Sequence, residues 1–294
     1  MNQKKGITFA VVGSICWGMS GTIAEYLFAT QHVSPLWLVG LRLLVAGILL
    51  LAWSGIIKHE SIFSIWQDRS ARLPLIGFSL LGMLPSQLAY FMAIKYGNAP
   101  TATVLQFLGP IFIIGYLTIA HRSLPSRVDI VSVILAVIGT FLLVTKGHFD
   151  SLALSIAALA WGIGAGLSQA SYTLLPRKLL ARFDARLVVG WGMTIGSLPF
   201  TVVLVREPMP TLSFPVVASI FFIIIFGTML AYLFYLNSVK YISPSATGML
   251  SSFEPLTATV LSVTFLSTPL SFVQIIGGLF VIATVFVQTI FKHE

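Results

Sequence analysis

The sequence contains few charged residues. Asp, Glu, Lys and Arg make up 9% of the 294 residues, whereas 57% are hydrophobic, and the mean hydropathy is +0.96. A water-soluble domain carries about 25% charged residues, because its surface must stay hydrated. The composition therefore excludes a soluble domain and predicts an integral membrane protein whose principal solvent and partner is the lipid bilayer.

Several other features are missing. The formal net charge is +8, but no basic face or aromatic-interleaved motif accompanies it, so nucleic acid is excluded as a partner. The single cysteine, Cys16, lies among apolar residues and cannot form an internal disulfide. There is no His-Glu-x-x-His motif and no cysteine cluster, so we expect neither a metal nor another cofactor.

One short motif raises an enzymatic alternative. Gly18-Met19-Ser20-Gly21 matches the nucleophile motif of intramembrane serine proteases of the rhomboid family. A serine nucleophile needs a neighbouring base, and no span contains a histidine or a lysine. The histidines all fall in loops or at the terminus: His32, His59, His121, His148 and His293. We therefore expect no enzyme, and interpret Ser20 as a packing or pocket residue.

Long apolar runs are abundant. A membrane-spanning helix needs about 20 mostly apolar residues, and ten segments meet this length between charged residues, Pro or Gly. The predicted fold is all-α, with ten transmembrane helices joined by short loops. The predicted spans are 7–28, 36–57, 73–94, 99–119, 128–145, 151–175, 185–205, 215–236, 243–265 and 271–291.

The loop charges predict an orientation. Cytoplasmic loops of membrane proteins are rich in Lys and Arg. One side of the predicted arrangement holds only Lys95, Lys146 and Arg206. The opposite side holds Lys4, Lys5, Lys58, Arg69, Arg72, Arg122, Arg127, Arg177, Lys178, Arg182, Arg186, Lys240 and Lys292. We expect both termini to face the cytoplasm, in a multi-pass protein of the cell membrane.

The chain also repeats itself. At an offset of 145 positions, Tyr90 matches Tyr235, Lys95 matches Lys240, Tyr96 matches Tyr241 and Pro110 matches Pro255. The pair Trp17-Gly18 matches Trp161-Gly162 at an offset that is shorter by one position. Each half, 1–147 and 148–294, then holds five spans. Because five is odd, the two halves enter the membrane from opposite sides and form inverted repeats.

Inverted repeats are typical of transporters that open to one side of the membrane at a time, with a small-molecule site where the halves meet near the midplane. A channel remains the alternative. It is disfavoured because the predicted spans show no re-entrant half-helices.

Several short motifs occur along the chain in an order that is similar to that of a known protein family. They are Trp17-Gly18-Met19-Ser20-Gly21-Thr22, Arg42-Leu43-Leu44-Val45-Ala46-Gly47, Lys95-Tyr96, Leu108-Gly109-Pro110, Trp161-Gly162, Glu254-Pro255-Leu256-Thr257-Ala258 and Gly277-Gly278-Leu279-Phe280-Val281-Ile282. With these motifs the chain resembles the drug/metabolite transporter superfamily, in its EamA-type branch of two five-helix repeats.

This resemblance implies movement of a small organic metabolite, commonly the export of amino acids or related molecules by alternating access. The chain departs from the family where a Gly-Glu pair often ends the fourth and ninth spans. His121-Arg122 and Ser267-Thr268 stand there instead, so no role of those carboxylates carries over.

Polar and aromatic side chains within the spans predict the pocket. Buried amides need a partner, which is either another helix or a ligand. Together, these side chains suit a zwitterion or an amphiphilic organic molecule, although helix-to-helix hydrogen bonding remains open for each. The candidate substrate contacts are Trp17, Ser20, Gln87, Tyr90, Gln106, Trp161, Gln169, Tyr172 and Tyr235.

Few ionisable groups lie within the spans, and lipid would not tolerate them. Glu25 and Arg42 lie toward the outer ends of their spans, where an ion pair between them is sterically feasible as a coupling element. The alternative is a structural brace, or an arginine that extends to the membrane surface. Glu254 is expected near the bilayer midplane as a proton carrier or a hydrogen-bond donor between helices. Pro255 beside it would loosen the helix as a hinge.

Overall fold

The computed structural model describes residues 3–57, 61–122, 124–147, 154–238, 241–242, 247 and 250–291. These residues form helices and include no strand. Lys240 and Lys292, on which part of the predicted orientation and repeat depends, lie outside the described residues.

Within the described ranges, six helices are long and apolar enough to cross a membrane. They are α1 (Gln3–Ala29), α2 (Pro35–Ile57), α3 (Arg69–Tyr96), the interrupted pair α4 and α5 (whose span is Ala99–Ala120), α8 (Ala185–Arg206) and α9 (Phe214–Ser238). Each coincides with a predicted span to within about four residues at either end.

Four further helices occupy the remaining predicted segments. They are α6 (Arg127–Thr145), α7 (Ile156–Leu174), α10 (Phe253–Phe265) and α11 (Phe272–Phe291). Short helices at Ser64–Gln67 and Arg177–Leu180 lie in the connections. That all ten predicted segments span the membrane remains a prediction.

Capping side chains fix several helix starts. Ser34 accepts a hydrogen bond from the Trp37 amide, immediately before Pro35 opens α2. Asn98 caps α4 in the same way, and Ser126 forms a reciprocal capping box with Asp129 at the start of α6. Such side chains satisfy the amides that a helix leaves unpaired at its first turn.

The fourth predicted span is not one continuous helix. α4 (Ala99–Gln106) ends at a turn over Phe107 and Leu108, and α5 (Gly109–His121) starts again beyond it. Pro110 occupies the second position of α5, where its missing amide is tolerated. The apolar span predicted over 99–119 is thus present but interrupted at Phe107 and Leu108.

The helices interlock between the two halves of the chain. α1 packs mainly against α9 and α10, whereas α7 packs mainly against α3, α4 and α5. α2 pairs with α8, and α6 pairs with α11. The contacts of α1 in the second half thus resemble those of α7 in the first.

Two glycines permit a close approach of α6 and α11. A Cβ at Gly139 of α6 would lie 2.6 Å from the carbonyl oxygen of Gly277 of α11, and a Cβ at Gly277 would lie 2.6 Å from the carbonyl oxygen of Gly139. No side chain fits at that distance, so glycine allows the two backbones to touch.

Candidate functional site

A cavity of about 470 Å³ lies between the halves. Both halves contribute to its wall, from α1 to α5 on one side and from α7 to α11 on the other. Its volume is in the range of sites that hold a small organic molecule.

Most of the sequence-predicted site residues meet in this wall. The lining includes Trp17, Ser20, Arg42, Gln87, Tyr90, Gln106, Gln169, Tyr172, Tyr235 and Glu254. Trp161, Pro255 and Glu25 are not among the lining residues. Trp161, like Trp17, packs against the apolar core. That the lining residues bind a substrate remains a prediction.

An aromatic surface forms one part of the wall. The Trp17 ring lies 5.2 Å from the Tyr232 ring and 5.3 Å from the Tyr235 ring, measured between centroids. Tyr172 approaches Tyr232 at 6.3 Å and Phe78 at 5.6 Å. Such clusters offer large apolar faces with polar hydroxyl ends.

One contact in the wall joins repeat-related positions. Gln87 Nε2 donates to the Tyr232 hydroxyl at 3.4 Å, and these two residues are 145 positions apart, the offset at which the sequence repeats. Residues related by a two-fold axis touch each other where that axis passes between them.

Arg42 is buried in the wall with 4% of its surface exposed. Its Nε donates to Thr228 Oγ1 at 3.0 Å, its Nη2 donates to the Gly227 carbonyl at 3.5 Å, and its guanidinium lies 4.5 Å from the centroid of the Phe91 ring. Gly227 and Thr228 lie in a π-helical turn, Ile225–Leu230. Such a turn breaks the regular helical hydrogen bonding, which leaves the Gly227 carbonyl available to Arg42.

The expected ion pair between Glu25 and Arg42 is not formed. The Glu25 carboxylate accepts hydrogen bonds from the Ala99 amide at 2.9 Å, the Ser262 hydroxyl at 2.9 Å and the Thr268 hydroxyl at 3.0 Å. Those three donors occupy it. Because Ser262 and Thr268 belong to the second half, Glu25 fastens α1 to the far end of α10. We call these four residues the Glu25 latch.

Glu254 lies in the first turn of α10, which begins at Phe253, rather than in the middle of a helix as expected. Pro255 follows it, is buried and also lies in the first turn. A proline there removes no regular helical hydrogen bond, and a hinge at Pro255 remains a prediction. Arg42 and Glu254 both line the cavity but form no ion pair within the described residues.

The turn between α4 and α5 also faces the cavity, through Gln106, Phe107 and Gly109. Gln106 Nε2 donates to Gln169 Oε1 at 3.2 Å, which ties this turn to α7. The Gln106 Oε1 atom is buried and has no partner. It is therefore an acceptor that a ligand donor can reach without displacing a protein contact.

The cavity differs at its two ends. Its most exposed lining residues are Thr173 and Leu180, near the short helix Arg177–Leu180. Arg182 beyond that helix pairs with Asp68, just before α3, whereas the Glu25 latch contacts Ala99, just after α3. α3 has 28 residues and is thus about 42 Å long at 1.5 Å per residue. The exposed end and the latch therefore lie at opposite ends of the helix bundle.

Sequence reasoning missed two contributors. Phe78 lines the cavity and Thr228 holds Arg42 in place, but both lie in apolar runs whose composition does not distinguish a cavity face from a lipid face. Tyr232 could have been predicted from the sequence, because it is the repeat partner of Gln87, which was one of the candidate substrate contacts. Among the described residues no group of three or more His, Cys, Asp or Glu side chains could hold a metal ion.

The fold and the cavity define a class of helical membrane proteins with an internal solute site. Comparison with known proteins narrows the class. A model of the EamA-like transporter family matches residues 4–145 and, a second time, residues 156–290. The chain belongs to the EamA-like transporter family, within the drug/metabolite transporter superfamily, and is therefore a membrane transporter rather than an enzyme.

Individual relatives agree with this assignment. The chain is 34% identical to the "Uncharacterized inner membrane transporter YicL" of Salmonella typhimurium, over 97% of this chain and 95% of that protein. It is 28% identical to the "Threonine/homoserine exporter RhtA" of Escherichia coli K12, over 92% of this chain and 86% of that protein. A crystal structure shares the fold with a TM-score of 0.60 at 15% identity, covering 95% of this chain and 96% of that one.

Proposed function

We propose that this transporter exports a small, amino-acid-like metabolite across the cytoplasmic membrane by alternating access. The observation that carries the proposal is the cavity between the halves, whose exposed lining residues lie toward one end of the helix bundle, whereas the Glu25 latch joins the halves at the other end. A carrier needs a site that reaches one side of the membrane at a time, whereas a channel needs a pore continuous from one side to the other.

The two halves, 1–147 and 148–294, form inverted repeats in this proposal. The family model matches twice, the contacts of α1 resemble those of α7, and Gln87 meets its repeat partner Tyr232. These observations support a pseudo-two-fold axis through the cavity. Exchanging the conformations of the two halves would open the latched end and close the exposed end.

The exposed end faces the cytoplasm in this proposal, because the helix and loop beside it carry Arg177, Lys178 and Arg182. A substrate would enter from the cytoplasm and leave past the Glu25 latch. Cysteine labelling in a Cys16→Ser background tests this orientation. A cysteine at Lys95 should label only from outside, and one at Arg122 only from inside. Labelling of both positions from one side would contradict the proposed topology.

The substrate class follows from the lining. Trp17, Tyr172 and Tyr235 offer aromatic faces, while Gln106 and Gln169 offer amides, a combination that suits a small molecule with polar and apolar parts. The name of the relative RhtA supports an amino acid. A thermal-shift screen of purified protein against amino acids, sugars, polyamines and cationic drugs, followed by liposome uptake of the hits, tests this class. Hits only among sugars or polyamines would contradict it.

Glu254 provides the coupling group in this proposal. It lines the cavity, so the state of the gates decides whether water reaches it, and a carboxylate that gains and loses a proton with that access can couple transport to a proton gradient. In proteoliposomes, Glu254→Gln should keep exchange but lose acceleration by a pH gradient. A variant that still responds fully to the gradient would assign Glu254 to structure alone.

A further inference from the structure

Two polar side chains in the cavity wall are incompletely paired: Arg42 has no carboxylate partner among the described residues, and Ser20 Oγ has no hydrogen-bond partner. Arg42 is 4% exposed and Ser20 is 3% exposed, and both line the cavity. Buried polar groups in proteins almost always have partners, so an exception points to an absent ligand or to a role in the mechanism.

Arg42 carries a charge that no carboxylate neutralises at contact distance among the described residues. Its hydrogen bonds go to two neutral acceptors, Thr228 Oγ1 and the Gly227 carbonyl. A guanidinium has five N–H groups and can bind a carboxylate through two of them at once. Donor capacity therefore remains free beside the cavity.

Ser20 lies next to the same turn of α9. A Cβ on Gly227 would lie 2.5 Å from Ser20 Oγ, so glycine at that position leaves room for the hydroxyl. Ser20 Oγ nevertheless has no hydrogen-bond partner. Ser20 and Arg42 thus both lie next to Gly227, whose carbonyl accepts from Arg42.

We propose that Arg42 and Ser20 form an anion subsite that binds the carboxylate of the transported substrate, with the substrate amine directed toward Glu254. The proposal rests on the proposed function and adds to it the residues that select the substrate's charge. Arg42 and Glu254 both line the cavity and form no ion pair with each other, so a molecule with opposite charges at its two ends can contact both. The carboxylate supplies the counter-charge that Arg42 lacks.

Ser20→Ala is the most direct variant, because it removes a hydroxyl that holds no protein contact. The unliganded variant should melt no lower than wild type. Ser54→Ala is the matched control: Ser54 is also fully buried and its hydroxyl also lacks a partner, but it does not line the cavity. Arg42→Lys keeps the charge and loses two-point binding.

The probes are L-threonine, L-leucine and L-phenylalanine, each beside the amino alcohol that lacks its carboxylate. Binding is measured by titration calorimetry on the purified protein. Wild type should bind each amino acid at least about tenfold more tightly than its amino alcohol, because a charge-assisted hydrogen bond contributes about 1.5 kcal/mol or more. Ser20→Ala and Arg42→Lys should reduce that ratio, and Ser54→Ala should leave it unchanged.

Equal affinities for the two series in wild type, or no binding of either, would overturn the subsite. A ratio unchanged in both cavity variants would overturn it as well. The same purified protein, tested in proteoliposomes, separates this failure from that of the proposed function. The predicted binding pattern without transport would retain the subsite and contradict the exporter, whereas transport of amino acids and amino alcohols alike would retain the exporter and contradict the subsite.

Discussion

Replacement of Glu25 by alanine should release the closed end of the cavity. The carboxylate accepts three hydrogen bonds, and two of them, from Ser262 and Thr268, join the two halves of the chain. A hydrogen bond to a charged group contributes about 1.5 to 3 kcal/mol. With the lower figure for each of the two, the latch stabilises the closed end by about 3 kcal/mol, or more than about 100-fold in the equilibrium constant.

The assay measures access to the cavity from the side on which the latch lies. A cysteine replaces Ser20 in a Cys16→Ser background, and a membrane-impermeant maleimide is added from outside. Glu25→Ala should raise the labelling rate by up to about 100-fold. Glu207→Ala is the control, since that carboxylate lies on the same predicted side and makes no hydrogen bond or ion pair with the described residues.

An unchanged labelling rate in a folded Glu25→Ala protein would refute the latch. A Glu25→Gln variant is the control for misfolding, because its amide oxygen still accepts hydrogen bonds from some of the same donors. It should label at a rate between those of the parent and the alanine variant. Equal acceleration by Glu207→Ala would also refute the reasoning, because the effect would then belong to surface charge.

Two further predictions concern contacts between helices and loops. Gly139→Ala should lower the melting temperature, because the new Cβ meets the Gly277 carbonyl at 2.6 Å, whereas Gly115→Ala should raise it, because nothing lies within 4 Å of that position. A rise in both would contradict the close approach of α6 and α11. Hydrogen bonds from Ser70 hold the pKa of Asp68 below its ordinary value in the folded protein. The stabilisation by the ion pair between Asp68 and Arg182 is therefore fully present above the unfolded pKa of about 3.9. It is lost only as the pH falls through the lower pKa of the folded state. Asp68→Asn should therefore change the melting temperature equally at pH 7.5 and pH 5, and a difference between the two would contradict this.

The sequence predicted the six apolar spans well, because apolar length bounded by charge and proline is a local property. It predicted most of the cavity wall for a similar reason: a polar side chain such as Gln87 or Gln169 within an apolar run must face protein or water. The chosen residues were also spread over several spans, and the fold gathers them at one place.

The predictions that failed concern contacts between residues that are far apart in the sequence. Nothing local to Glu25 reveals that Ser262 and Thr268, more than 200 positions away, would occupy its carboxylate in place of Arg42. The π-helical turn that supplies the acceptors of Arg42 has the same apolar composition as the rest of α9. Trp161 carried the same sequence signal as Trp17, and both pack against the core, but only Trp17 lines the cavity.

The most direct test of the central claim is a counterflow experiment. Proteoliposomes containing the protein are loaded with unlabelled L-threonine and diluted into a trace of labelled L-threonine, and the labelled amino acid inside is followed with time. A carrier that exposes one site alternately to each side predicts a transient accumulation above equilibrium. That overshoot should disappear in Arg42→Lys if the anion subsite holds the carboxylate. Labelled threonine that rises only to equilibrium, or never enters, would contradict alternating-access transport of this amino acid.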